Sequence, residues 1–365
     1  MNDDLQASPS DALIEDSVAR LFSTRVDKAA RLRTEAGEFD ATLWQQAVDS
    51  GLPLLLATEA AGGFGQSWSV AFALLRGLGY WQVPLPLAET GVAAQLASLA
   101  GLGIPDGPLT LIEQGQGNSL VLGGGAAAPH LSGVAHGVPW ARHATAALVS
   151  LADGHLAWLD LVDAAGVSLQ PHSNLAGLPS DSLVLRQARL RALAPNPLDL
   201  QQPVWTLGAV ARSAMMVGAL ESALEQAVRY AGERVQFGKP IGRNQALQQN
   251  LALMAGDVAA ARVAALVAAA DAPGSADDDC TCTRFSAAVA KVRAGEAATR
   301  GTSVAHQVHG AIGFTHEHPL HFATRRLWAW RAEFGTDAQW AGELGRAAIQ
   351  AGAAGFWPAL TRKHF

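Results

Sequence analysis

Apolar residues recur along this chain with two different periods, and the change of period divides it in three. Up to about residue 105 the spacing is helical. Asp40 is placed to cap a helix whose buried stripe is Leu43, Trp44 and Ala47, and Gly51 with Pro53 ends it. The apolar run 52–56 enters a loop, 60–65, that is too rich in glycine for a helix interior. That loop follows no strand and lacks a Gly-x-Gly-x-x-Gly pattern, so a phosphate cradle is not expected there. Helical spacing resumes from Ser67 to Gly79, and Pro84 and Pro86 break it.

From about Pro105 the pattern becomes strand-like, with runs at 119–122, 145–151, 155–161 and 183–192. Asp153 and Gly154, between two of these runs, signal a hairpin. Two prolines in 194–198 read as a linker, and beyond about Val204 the helical period returns. Met216, Leu220, Leu224, Ala227 and Ala231 share one face; Leu247, Leu251, Met254 and Val258 share another. The expected fold is mainly α with a central β-domain. A helical domain spans 1–105, a small β-barrel or sandwich spans 106–197, and a four-helix bundle spans 198–365.

Composition narrows the function classes. The chain has 365 residues, 49% of them hydrophobic, and a net charge of -6, so it is globular and carries no nucleic-acid footprint. Residues 1–5 lack a basic stretch followed by an apolar one, so no export signal is expected. The apolar run from Val258 to Ala270 is interrupted by Arg262 and is too short to span a bilayer. Cys280 and Cys282 are one residue apart, which disfavours a disulfide, and no second pair completes a zinc site. A cytoplasmic location follows as the default.

Candidate chemistry concentrates in 218–335. Arg234, Gln236 and Phe237 fall where a helix end meets a sharp turn, and a cationic fork beside an aromatic ring suits a phosphate and a flat heterocycle. His306, His309, His316, His318 and His321 cluster further on. They lack the His-Glu-x-x-His spacing and Pro319 interrupts any helix, so they read as polar lining and not as metal ligands.

The Arg-x-x-Phe-Gly turn at 234–238 and the Gln-x-x-Gly-x-x-Gly-Phe-Thr-x-Glu-x-Pro segment at 307–319 resemble the acyl-CoA dehydrogenase family, most strongly over 205–340. The resemblance implies the same α, β, α fold, FAD as cofactor and an acyl-CoA substrate. It also implies a homo-oligomer or a second acyl-CoA dehydrogenase subunit, and an acceptor such as an electron-transfer flavoprotein. In the family a Glu carboxylate removes the α-proton of the thioester while FAD takes hydride from the β-carbon. Carried over by position, Arg234, Gln236 and Phe237 match the turn that reaches the FAD of a neighbouring subunit. Gln307, Val308 and Gly310 match the contacts to its adenine end, Gln245 a polar helix start nearby, and Thr336 a residue near the flavin.

Three departures accompany the match. The position that holds the catalytic Glu is Phe334; Glu333 comes one residue early, and the alternative site of the base falls near Gly208. The Thr-Glu-Pro-x-x-Gly-Ser-Asp strand of the β-domain is not recognisable, and Trp140 is more in keeping with a core or interface role than with stacking on a flavin. The family's substrate-side Arg aligns with Ala209, with Arg212 three residues on, so Arg212 is a candidate for the acyl-CoA or a structural cation. Three readings follow. The chain is an FAD-dependent dehydrogenase with Glu333 as a displaced base. Or it resembles the degenerate subunit of a heteromeric acyl-CoA dehydrogenase, whose partner carries the base. Or it is a non-catalytic scaffold, with a flavin oxidase or monooxygenase on this fold a more distant option.

Overall fold

The protein is described by a computed structural model over residues 9–125 and 128–363. The expectation about residues 1–5 lies outside the described residues. Among the described residues, five helices lead: α1 (Pro9–Arg25), α2 (Lys28–Glu35), α3 (Ala41–Asp49), α4 (Trp68–Tyr80) and α5 (Leu87–Leu99). The Asp40 carboxylate accepts the Leu43 amide at 2.9 Å, so the expected cap of α3 is in place.

Seven strands follow: β1 (Leu109–Glu113), β2 (Ser119–Gly123), β3 (His130–Pro139), β4 (Ala146–Ser150), β5 (His155–Asp160), β6 (Val167–Gln170) and β7 (Ser180–Pro195). They form one curled sheet in the order β1-β4-β5-β7-β3-β2, with β6 also on β7. Only β1 and β4 run parallel; the other pairs are antiparallel. The 16-residue β7 is long enough to pair with β5 at one end and with β3 and β6 at the other. The Asp153–Gly154 turn joins β4 to β5 as expected. The linker reading at 194–198 needs a correction: β7 runs on through Pro195, which lies opposite His155 at the end of the ladder, where a missing N–H is tolerated.

Five further helices complete the chain: α6 (Pro203–Glu233), α7 (Gln245–Ala270), α8 (Thr283–His309), α9 (Leu320–Ala332) and α10 (Asp337–Thr361), with a short hairpin, β8 (Val235–Gln236) and β9 (Lys239–Pro240), after α6. One hydrophobic core runs from α1, α3 and α5 through Leu111, Leu148 and Trp158 of the sheet into α6, α7 and α8. Ile112, Val149 and Leu159 project from the opposite face into a second core inside the curl. The sheet is therefore covered on both faces, and β4 is buried at every residue. α4 and α6 cross in backbone contact. A Cβ on Gly79 would lie 1.8 Å from the Met215 carbonyl oxygen, and one on Gly218 would lie 1.8 Å from that of Arg76.

Two helices, α6 and α7, are long and apolar enough to cross a membrane by length and composition alone. Reading 258–270 by itself missed the full 26 residues of α7. The apolar 18-residue stretch of α6 is 83% buried within the protein, as a core helix is, whereas that of α7 is only 28% buried.

Candidate active site and nucleotide arm

At the end of α6 the chain reverses in the β8–β9 hairpin, whose two turn residues, Phe237 and Gly238, have φ of 52° and 78°. Two positive φ values make a tight primed turn, a strained conformation for an aromatic residue. The turn presents the Phe237 ring at 100% exposure. The end of α8 and the turn 310–314 face this hairpin. Together they wall a cavity of about 610 Å³ that brings Arg234, Gln236, Phe237, Gln307, Val308 and Gly310 to one place. Tyr230, Lys239, Asn244 and His309 line it as well. Gln245 and Thr336 do not. Asn244 caps α7 in front of Gln245, and Thr336 caps α10 through a reciprocal pair with Gln339.

The flavin nucleotide implied by the resemblance fits this part of the chain. Arg234 and Lys239 offer cationic donors for a diphosphate, Phe237 a bare aromatic face, and Asn244 and Gln307 polar groups for a heterocycle.

Around Arg212 the geometry is closed. Arg212 is 2% exposed, and its guanidinium lies between two carboxylates. Nη2 donates to Glu89 Oε1, and Nε donates to Glu333 Oε2 at 2.7 Å. Burial would lower the Arg212 pKa; Glu89 and Glu333 more than reverse this and keep it charged. The other oxygen of Glu333 accepts Asn174 Nδ2 at 2.9 Å. Glu333 is thus held as a counter-ion on both oxygens.

Phe334, with φ of 52°, turns its ring onto Gly208, where a Cβ would come within 2.5 Å of the ring. The two positions from which a base is expected therefore face each other, and neither has a carboxylate. Lys291 sets the chain entering this turn. Fully buried, with its pKa drawn down to about 7 by desolvation, it donates to the carbonyls of Trp330 at 2.7 Å and Arg331 at 3.1 Å, at the C-terminus of α9.

Between Phe334 and the β-domain is a cavity of only about 80 Å³, lined by Glu113, Gln116, Asn118, His136, Trp205, Glu333 and Phe334 among others. Small-molecule pockets start at roughly 300 Å³, so this one takes a few waters and not a three-ring flavin. The nucleotide fits beside the β8–β9 hairpin; the ring does not fit in this cavity beside Phe334.

Glu113, which sequence reasoning did not single out, lines this small cavity. It ends β1 and accepts the Trp205 amide at 2.9 Å, which ties the first turn of α6 to the sheet. Burial pushes its carboxyl up to about 7, against the pull of Ser150 and the Trp205 and Val204 amides. The signal was faint: laid without gaps on Thr-Glu-Pro-x-x-Gly-Ser, Ile112-Glu113-Gln114-Gly115-Gln116-Gly117-Asn118 keeps only Glu113 and Gly117. Trp140 packs with Ala176, Leu178 and Ala329 in a small core. Among the described residues no group of His, Cys, Asp or Glu could hold a metal, and both cysteines are free.

Comparisons with known proteins bear on the family and the fold. Residues 202–349 match the family model for the C-terminal domain of acyl-CoA dehydrogenases. The acyl-CoA dehydrogenase IpdE2 of Mycobacterium tuberculosis is 30% identical over 318 residues, covering 86% of this chain and 89% of that protein. Among solved structures, a variant of the Tcur3481-Tcur3483 steroid acyl-CoA dehydrogenase superposes with a TM-score of 0.84 at 26% identity, covering 95% of this chain and 100% of that one. The ChsE4-ChsE5 complex from Mycobacterium tuberculosis superposes with a TM-score of 0.83 at 24% identity, covering 95% of this chain and 99% of that one.

Proposed function

Because this chain belongs to the acyl-CoA dehydrogenase family, an oxidoreductase family whose cofactor is FAD, we propose that it is the base-lacking subunit of a heteromeric acyl-CoA dehydrogenase. Its role is to complete, from outside, the FAD site of a partner chain that carries out α,β-desaturation of an acyl-CoA thioester. One observation carries the reading: the Phe334 ring rests on Gly208, filling the place of the base from both directions, while Glu333 is bound to Arg212 and Asn174. Support comes also from the paired name of the Tcur3481-Tcur3483 steroid acyl-CoA dehydrogenase.

In this arrangement the chain's own residues bind and orient. Arg234 and Lys239 neutralise a diphosphate, Phe237 covers the adenine face, and Gln307 offers it hydrogen bonds. When bound, FAD supplies hydride acceptance in the partner's site, and an electron-transfer flavoprotein is the onward acceptor. Arg212, Glu89 and Phe334 keep this chain's own cleft too small for the flavin ring.

A second reading keeps Glu333 as a displaced base, because that residue does line the small cavity beside Phe334. Two variants in the purified complex separate the two. Arg234→Ala is expected to weaken FAD retention about tenfold, the scale of one lost charge-assisted contact. Glu333→Gln is expected to leave flavin reduction by acyl-CoA within about twofold of the unmodified complex once folding is matched. If Glu333→Gln keeps its flavin and no longer reduces it, the displaced-base reading is correct.

A further inference from the structure

We infer that the histidines packed behind the nucleotide arm form a proton-sensitive latch: neutral, they hold the arm together; protonated, they open it and release the partner's FAD. The inference rests on the arm reading above and concerns the control of that same site.

His306 and His309 occupy the last turn of α8. Tyr230 of α6 stacks on His309 with ring centroids 4.7 Å apart, and His318 lies 4.4 Å from His309. Phe314 stacks on His306 at 4.4 Å, while His321 contacts Phe322 at 4.1 Å and His316 at 5.4 Å. This ring stack supports the turn 310–314, and His309 itself walls the cavity.

The hydrogen bonds leave no place for a second proton. His309 Nδ1 lies 2.7 Å from the Ala305 carbonyl oxygen and therefore carries the ring's proton, so Nε2 is bare; Nε2 is buried and meets no partner. His321 repeats the arrangement, with Nδ1 donating to the His318 carbonyl at 2.8 Å and a buried, unpartnered Nε2. His306 Nε2 meets Thr324 Oγ1 at 3.0 Å, and its Nδ1 is buried without a partner. His318 Nδ1 accepts the Leu320 amide at 3.2 Å, a bond that protonation abolishes. Adding a proton to any of the four either buries an N–H with no acceptor or breaks an existing bond, each an unfavourable change.

The charged surroundings do not offset this. Burial lowers the pKa of all four rings; for His306 and His318 the further cause is the neighbouring histidines. Glu35 of α2 favours a charged His321, opposed by His316 and by Arg325 of α9, to which Glu35 is itself paired. Tyr230 is the titratable group facing His309 from α6, and Glu317, on the loop with His316 and His318, is exposed. With folded pKa values below the unfolded ones, the open arm binds more protons than the closed arm. Closure is then fully favoured at neutral pH and is lost as pH falls below about 6.5.

Hydrogen–deuterium exchange of residues 304–322 in the full chain, corrected for intrinsic rates, tests the latch between about pH 7.5 and 5.5, with FAD loss from the chain–partner complex measured in parallel. Both are expected to accelerate about tenfold over that range. His306→Gln and His318→Gln, neither of which lines the cavity, should flatten the dependence separately. Exchange that does not change with pH in the unmodified chain overturns the latch, whether or not the variants fold. A segment that loosens on acidification while the complex keeps its FAD overturns the release, and an Arg234→Ala complex that also keeps its FAD places the failure in the arm reading itself.

Discussion

Arg212 is charged, out of water and held by Glu89 and Glu333, and a charge buried in this way is only as stable as its partners. Replacing it with Met leaves Glu89 buried and uncompensated. Arg212→Met is therefore expected to lose about 3–5 kcal/mol in urea denaturation, and Arg212→Met with Glu89→Leu to recover most of that. A single variant as stable as the parent would mean that the triad does not hold the cleft shut. The sequence allowed Arg212 to be singled out as a cation of the site, and left open whether it served substrate or structure. It did not reveal Glu89, 123 residues away, because the pairing depends on how α5 and α6 meet. The same limit applies to Phe334. Its displacement of the expected Glu was legible, whereas its seat on Gly208 needed the fold.

Among elements, the crossing of α4 on α6 places the cleft, since it fixes the α6 residues that face α9 and the Phe334 turn. That crossing requires glycine at 79 and 218, where an added Cβ would collide with backbone. Gly218→Ala is expected to destabilise by about 1–3 kcal/mol through overpacking. Gly256→Ala, in α7, meets no atom within 4 Å and should stabilise by roughly 1 kcal/mol through helix propensity alone. Chemical denaturation of the two side by side separates the effects, and equal responses would reject close packing at 218.

Helices were the legible elements, because their caps and stripes are local: Asp40 for α3 and the Met216 to Ala231 stripe for α6 both stand. Strands were less so. β2, β4, β5 and β7 were anticipated. β1, β3 and β6 were not, since β1 is a short run without alternation, β3 is broken by Gly133 and Gly137, and β6 shows only two apolar residues.

At the scale of the whole molecule, one core runs through both sets of helices and the outer face of the curled sheet, so the three segments hold one another in register. The same frame carries the open, donor-lined cavity proposed to take the nucleotide and, beside Phe334, a space of only about 80 Å³. On the proposed reading such a chain complements another and turns over only with a partner. The visible absorption spectrum of the chain purified alone, followed by anaerobic addition of acyl-CoAs, tests this most directly. The account predicts a protein that keeps little or no flavin and whose added FAD stays oxidised, with colour and reduction returning only in the complex. A chain that is yellow by itself and bleaches with an acyl-CoA would contradict it.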